Sequence, residues 1–156
     1  MILDTKYVCV IESSSDKNGN TTYGGYCLDI PASIISRKSK DEVISGLRES
    51  IALSILSYED DGLIPPAPFA SPSEVVKESE GDEVILIAPA PVNPVSLSIE
   101  KAIEKAGISR SELARRLGVN RSQATRIVDP FYFGHTVSTL NRVAEALGKR
   151  LEIQLI

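Results

Sequence analysis

The chain has 156 residues, 42% of them hydrophobic and 24% charged, with a formal net charge of -4, a size that buries one good core or two small ones. No apolar run approaches the ~18–20 residues of a membrane span, and residues 1–7 lack the basic start and apolar run of a signal peptide, so a cytoplasmic protein is expected. Cys9 and Cys27 are the only cysteines and His135 the only histidine, too few for the usual zinc ligand set or a disulfide-stapled scaffold, and no metal, cofactor or catalytic residue is expected.

Both cysteines lie in apolar runs, expected as adjacent strands, and read as buried, reduced thiols in preference to a redox pair. His135, between two helical patterns, reads as a turn residue. Charge is uneven along the chain: residues 1–93 hold 7 Lys and Arg against 15 Asp and Glu, whereas residues 94–156 hold 10 against 6. The net charges are therefore -8 and +4, and the whole-chain value is a poor guide to what either half meets.

In chain order, residues 6–11 (KYVCVI) form a β-branched apolar run, and Asn18 followed by Gly19 favours a turn with positive φ. A hairpin is expected, with a return strand over 23–30 that sets Tyr26, Leu28 and Ile30 on one face and Cys27 and Asp29 on the other, stopped by Pro31. Residues 32–37 supply a third short strand. Ser39 and Glu42 have capping-box spacing, and Val43, Ile44, Leu47, Ile51, Ile55 and Tyr58 recur at three- and four-residue intervals, predicting a helix that packs one stripe on the sheet.

Glu59, Asp60, Asp61 and Gly62 end that helix, where three carboxylates oppose its macrodipole. The triplet reads either as a solvated acidic corner or as a partner-facing patch. Residues 83–88 (EVILIA) have strand composition, completing a βββαβ unit. Three prolines within residues 88–94 then mark a semi-extended linker, placed at 91–95 between domains 1–90 and 96–156.

From Leu97 the pattern is helical, with Ile99, Ala102, Ile103 and Ala106 on one stripe and Gly107 as terminator. The next stretch, SRSELARRLGVNRSQATRIVDP, opens with a second capping box at Ser109 and Glu112. Ala114, Gly118, Val119, Ala124 and Ile127 meet the spacing of a helix-turn-helix, in which a small residue sits at the helix crossing and a Gly takes positive φ in the turn. Burying them leaves Arg121, Ser122, Thr125 and Arg126 exposed on the third helix.

Arg there can bond guanine O6 and N7, and Ser122, Gln123 or Thr125 can reach a base edge or phosphate; Arg110 and Asn120 complete the expected DNA-contacting set. The bland alternative is a protein-binding helix pair with a solvated basic face. A fourth helix over 136–147 and an alternating apolar segment over 150–156 close the chain. That segment is expected to pair with its copy in a homodimer over a palindromic operator.

The Tyr23-Gly24-Gly25-Tyr26 strand ending in Asp29-Ile30-Pro31, the capped helix beginning near Asp41 and Glu42, and the Gly62 to Pro68 exit resemble the N-terminal domain of HicB-type antitoxins. Two places depart from that pattern: Ala32-Ser33-Ile34 stands where Pro-Gly-Cys often follows, and the Gly before the helix cap is replaced around Arg37 and Lys38. The second half resembles the Cro/repressor-like helix-turn-helix of one HicB subclass.

The resemblance implies an α+β chain whose first domain has a partial ribonuclease-H-like fold. It further implies an antitoxin that neutralises a HicA-type mRNA-cleaving toxin and represses its own operon. Glu59, Asp60, Asp61, Pro65 and Pro66 are the candidates for toxin contact. An orphan repressor without a toxin remains the alternative. A ribonuclease-H-like sheet also raises Glu12, Asp29 and Asp41 as metal-binding carboxylates, but only Asp29 falls within an expected strand and no enzyme is expected.

Overall fold

The computed structural model describes residues 5–156, so the expectations for the first four positions lie outside the described residues. The chain forms two compact units, Met1–Pro91 and Val92–Ile156. Its class is α+β, with a four-stranded antiparallel sheet and one long helix followed by a helical segment.

In the first unit β1 (Tyr7–Ser15) and β2 (Thr21–Cys27) form a hairpin with Cys9 opposite Cys27 and Ser15 opposite Thr21. The Asp16 carboxylate accepts the backbone N–H groups of Asn18 and Asn20 at 2.8 and 2.9 Å, and Gly19 takes φ of 82°. The ladder continues four residues past the expected strand end at Ile11, because the polar run from Glu12 pairs through its backbone where side-chain burial is not required. β2 ends earlier than expected: the Cys27 N–H donates to the Ala32 carbonyl at 2.9 Å, and Leu28 to Pro31 form a bend instead of strand.

Asp29 therefore stands in a bend, not in a strand. β3 (Ser33–Arg37) pairs with β2 through an irregular register between Tyr23 and Gly25, where Ser36 adopts φ of 56°. β4 (Glu83–Ile87) pairs antiparallel with β1, giving the order β3-β2-β1-β4.

Helix α1 (Lys40–Asp60) begins where Ser39 Oγ accepts the Glu42 N–H at 3.2 Å. The Glu42 carboxylate takes the Lys38 N–H at 2.9 Å, one residue before the cap, so the reciprocal half of the box is displaced. Val43, Leu47 and Ile51 are fully buried against Tyr7, Cys9 and Ile11 of β1, with Ile44, Ile55 and Tyr58 at the rim. Val8 and Val10, on the opposite face of β1, are also buried. A strand covered on both faces reads as a continuous apolar run instead of an alternating one.

The segment between α1 and β4 is tied to the sheet by Asp29, whose carboxylate accepts the N–H groups of Phe69 and Ala70 at 3.3 and 3.0 Å. A short 3-10 turn, Pro72–Glu74, then lies against β4. Beyond β4, the Ala90 N–H donates to the Arg48 carbonyl at 2.9 Å and so remains fastened to α1.

The second unit contains α2 (Pro94–Ala106), α3 (Arg110–Leu117), α4 (Arg121–Ile127) and α5 (Val137–Ala146). Pro94 and Val95, read from sequence as linker, are the first residues of α2, with Asn93 as its cap. Proline is compatible with this position because a first-turn N–H has no intrahelical partner to lose. The early start brings Ser96 inward, fully buried, while Ala106, expected inward, is exposed at the other end. Residues 151–156 form no strand within the chain; Leu155 and Ile156 are fully exposed.

Candidate nucleic-acid and protein interfaces

α3 and α4 form the helix pair that the spacing predicts. Ser109 Oγ accepts the Glu112 N–H at 3.1 Å to start α3, and Gly118 ends it with φ of 66°, letting Val119 donate to the Ala114 carbonyl at 3.1 Å. That turn directs the chain into α4, where Ala124 is wholly buried and Leu113, Leu117 and Ile127 join the core. A larger side chain at Ala124 would hold the helices apart.

Asn120 and Gln123 were expected to contact DNA. Both serve a complete capping box: Asn120 Oδ1 accepts the Gln123 N–H at 2.9 Å, and Gln123 Oε1 accepts the Asn120 N–H at 3.1 Å. Arg121, Ser122, Thr125 and Arg126 are all exposed. Thr125 Oγ1 donates to the Arg121 carbonyl at 3.0 Å, and the Arg126 guanidinium stands 5.7 Å from the Tyr132 ring centroid, a cation–π arrangement that orients it. Arg110, Ser122, Thr125 and Arg126 meet around one open groove of about 370 Å³, which Asp129 also lines.

Arg110, Arg115, Arg116 and Arg142 are engaged within the unit. Arg110 pairs with Glu100 at 2.9 Å. Glu112, instead of closing the second capping box, accepts Arg115 at 2.7 Å and Arg116 at 2.9 Å, which lowers its carboxyl to about 2. Arg116 also donates to the Ala146 carbonyl at 3.0 Å and Arg142 to the Leu117 carbonyl, so each satisfies the open end of a neighbouring helix. His135 receives or donates a hydrogen bond with Ser96 Oγ at 2.9 Å and packs edge-on against Tyr132. Burial lowers its pKa, and its place is structural.

In the first unit Glu59, Asp60 and Asp61 are exposed at the end of α1, where Gly62 turns the chain with φ of 70°. Pro65 and Pro66 are half-buried, and Pro66 accepts the Tyr7 hydroxyl at 3.1 Å. The carboxylates are exposed, whereas Pro66 is fastened to the sheet by that hydrogen bond. Sequence reading missed an apolar groove of about 340 Å³ lined by Tyr26, Leu28, Phe69, Val75, Val76 and Glu74. Phe69 is 79% exposed and Val76 87% exposed. Their only sequence signal was large apolar residues within an otherwise polar segment.

The three carboxylates raised for metal chemistry are dispersed. Asp29 holds the Phe69 and Ala70 amides, Glu12 lies on the outer part of β1, and Asp41 is in the first turn of α1. Among the described residues no group of three or more His, Cys, Asp or Glu side chains is placed to hold a metal ion, and no helix is long and apolar enough to cross a membrane.

No family model matches the chain. It is 29% identical over 125 residues to antitoxin HicB of Pseudomonas fluorescens strain Pf0-1, covering 80% of each chain. It is 25% identical over 140 residues to antitoxin HicB of Escherichia coli strain K12, covering 85% of this chain and 91% of that one. The same identity and coverage hold for antitoxin HicB of Escherichia coli O157:H7. Similarity of this extent reaches across both compact units, and the chain is similar to HicB antitoxins over four-fifths of its length.

Proposed function

We propose that the protein is an antitoxin that neutralises a HicA-type mRNA-cleaving toxin through its first unit and represses its own operon through its second. The observation that carries this reading is the similarity to proteins named antitoxin HicB, which spans four-fifths of this chain. The charges support the division of labour. Residues 1–93, at -8, suit the cationic RNA-binding face of a nuclease, and residues 94–156, at +4, suit duplex DNA.

On the second unit Arg121, Ser122, Thr125 and Arg126 face the major groove, and Arg110 meets phosphate after exchanging its Glu100 partner. Asn120 and Gln123 contribute by fixing the first turn of α4 and presenting their outer amide edges. On the first unit Glu59, Asp60 and Asp61 supply acidic contacts beside the Pro65 and Pro66 exit. The Phe69 and Val76 groove offers apolar area within the same acidic unit. Two copies pair through residues 150–156, setting the recognition helices over a palindromic operator ~34 Å per turn.

The test is co-purification of the tagged full chain from its own cells at moderate salt. The expected result is a small basic protein that cleaves mRNA alone and stops when this chain is added in equal amount. Recovery of operator DNA and self-oligomers without any RNA-cleaving protein would replace this reading with a repressor that has no toxin.

A further inference from the structure

The hairpin sets Cys9 and Cys27 directly opposite each other. The next pair along, Val8 and Leu28, is joined by the Leu28 N–H donating to the Val8 carbonyl at 3.0 Å. Hydrogen-bonded and non-hydrogen-bonded pairs alternate along an antiparallel ladder, so Cys9 and Cys27 occupy a non-hydrogen-bonded pair, where Cα atoms are ~4.5 Å apart and side chains are closest. A disulfide spans Cα separations of ~4.4–6.8 Å. Both side chains therefore share one face, on backbone positions whose separation a disulfide can span.

Their surroundings differ. Cys9 is fully enclosed in the core and donates toward the Tyr7 carbonyl at 3.8 Å, while Cys27 is half-buried at the core's edge. The Cys9 thiol and the backbone N–H groups of Asp29 and Ile30, on the bend after β2, all lie close to the Cys27 sulfur. The adjoining Cys9 thiol, helped by the two amides, lowers the Cys27 thiol to about 6, against opposing contributions from burial and the Asp29 carboxylate. Cys9 is raised, first by the neighbouring Cys27 and then by burial. Tyr7 also faces Cys27, and α1 brings Val43, Leu47 and Ile51 to this core.

We propose that Cys9 and Cys27 form a hydroperoxide-responsive dithiol in which Cys27 is the attacking sulfur and Cys9 the resolving one. The Cys27 thiolate attacks the peroxide oxygen, the O–O bond breaks, and the alkoxide or hydroxide leaves with a proton, giving a sulfenic acid on Cys27. The Cys9 sulfur then displaces that hydroxyl, which departs as water with the Cys9 proton, and the S–S bond forms. Two thiols are oxidised by two electrons, and one hydroperoxide is reduced to an alcohol and water. The product staples β1 to β2 beneath α1.

The test uses the full chain and hydrogen peroxide. Iodoacetamide should alkylate Cys27 at half-maximal rate near pH 6 when folded, and near the ~8.5 of an ordinary thiol when unfolded in urea. Peroxide should remove two hydrogens from the intact mass and yield a peptide joining Cys9 to Cys27 within one chain. Cys9→Ala, checked for native circular dichroism, should instead accumulate a dimedone-reactive sulfenic acid on Cys27. Wild-type chain that yields only sulfinic acid or a bridge between chains overturns the proposal, as does a folded-state alkylation midpoint at or above that of the unfolded chain.

Discussion

Gly25 shows how a single missing side chain shapes the first unit. A Cβ built there would stand 2.9 Å from both the Val10 carbonyl oxygen and Val43 Cγ1, and 3.0 Å from Leu47 Cδ1, so α1 approaches β2 this closely because no side chain intervenes. Gly25→Ala is expected to cost about 1–3 kcal/mol by overpacking, read as a lower thermal midpoint of the full chain. On the second unit Arg121→Ala or Arg126→Ala should each cost about 1–3 kcal/mol of operator affinity and relax sequence preference. Arg110→Ala should weaken all sequences alike and flatten the salt dependence. Equal losses on operator and random DNA for all three variants would reassign Arg121 and Arg126 to phosphate.

Helix ends carry much of the second unit's local order. The reciprocal box at Asn120 satisfies its own N–H and that of Gln123 at the start of α4, a seven-residue helix too short to be stable without tertiary packing. Asn120→Ala should therefore cost about 1 kcal/mol of stability in chemical denaturation. The same substitution should weaken DNA binding less than Arg121→Ala if capping is its main role. Glu112 offers a pH signature for α3: its folded carboxyl is lowered from 4.5 to about 2 by Arg115 and Arg116. A depressed folded pKa gives stability that is present above the unfolded value and lost as pH falls through the folded one. Glu112→Gln should thus be less stable than wild type at pH 7, with the difference closing between about pH 4.5 and 2 in urea titrations.

The two units carry opposite net charge, and each part of the proposed function draws on one of them. Leu155 and Ile156 are fully exposed and Ile153 is 59% exposed, leaving the alternating C-terminal segment without a ladder in the single chain. Deleting residues 150–156 from the full chain should lower its sedimentation coefficient from dimer to monomer and steepen the protein-concentration dependence of operator binding. An unchanged sedimentation coefficient would locate the dimer contact elsewhere.

Local rules carried far along this chain. The Ser39, Ser109 and Gly118 signals gave correct helix starts and turn, because capping and positive φ depend on a few neighbouring residues. The apolar stripe of α1 was legible for the same reason, since helical spacing alone sets which residues share a face. Three-dimensional packing decided the rest. It drew Ser96 inward and left Ala106 outside, turned Glu42 and Glu112 to partners other than their caps, and bound Asn120 and Gln123 to each other's backbone. Strand register is likewise non-local. Opposition of Cys9 and Cys27 depends on where the hairpin closes, so their composition suggested buried thiols while pairing across β1 and β2 brought the two sulfurs together.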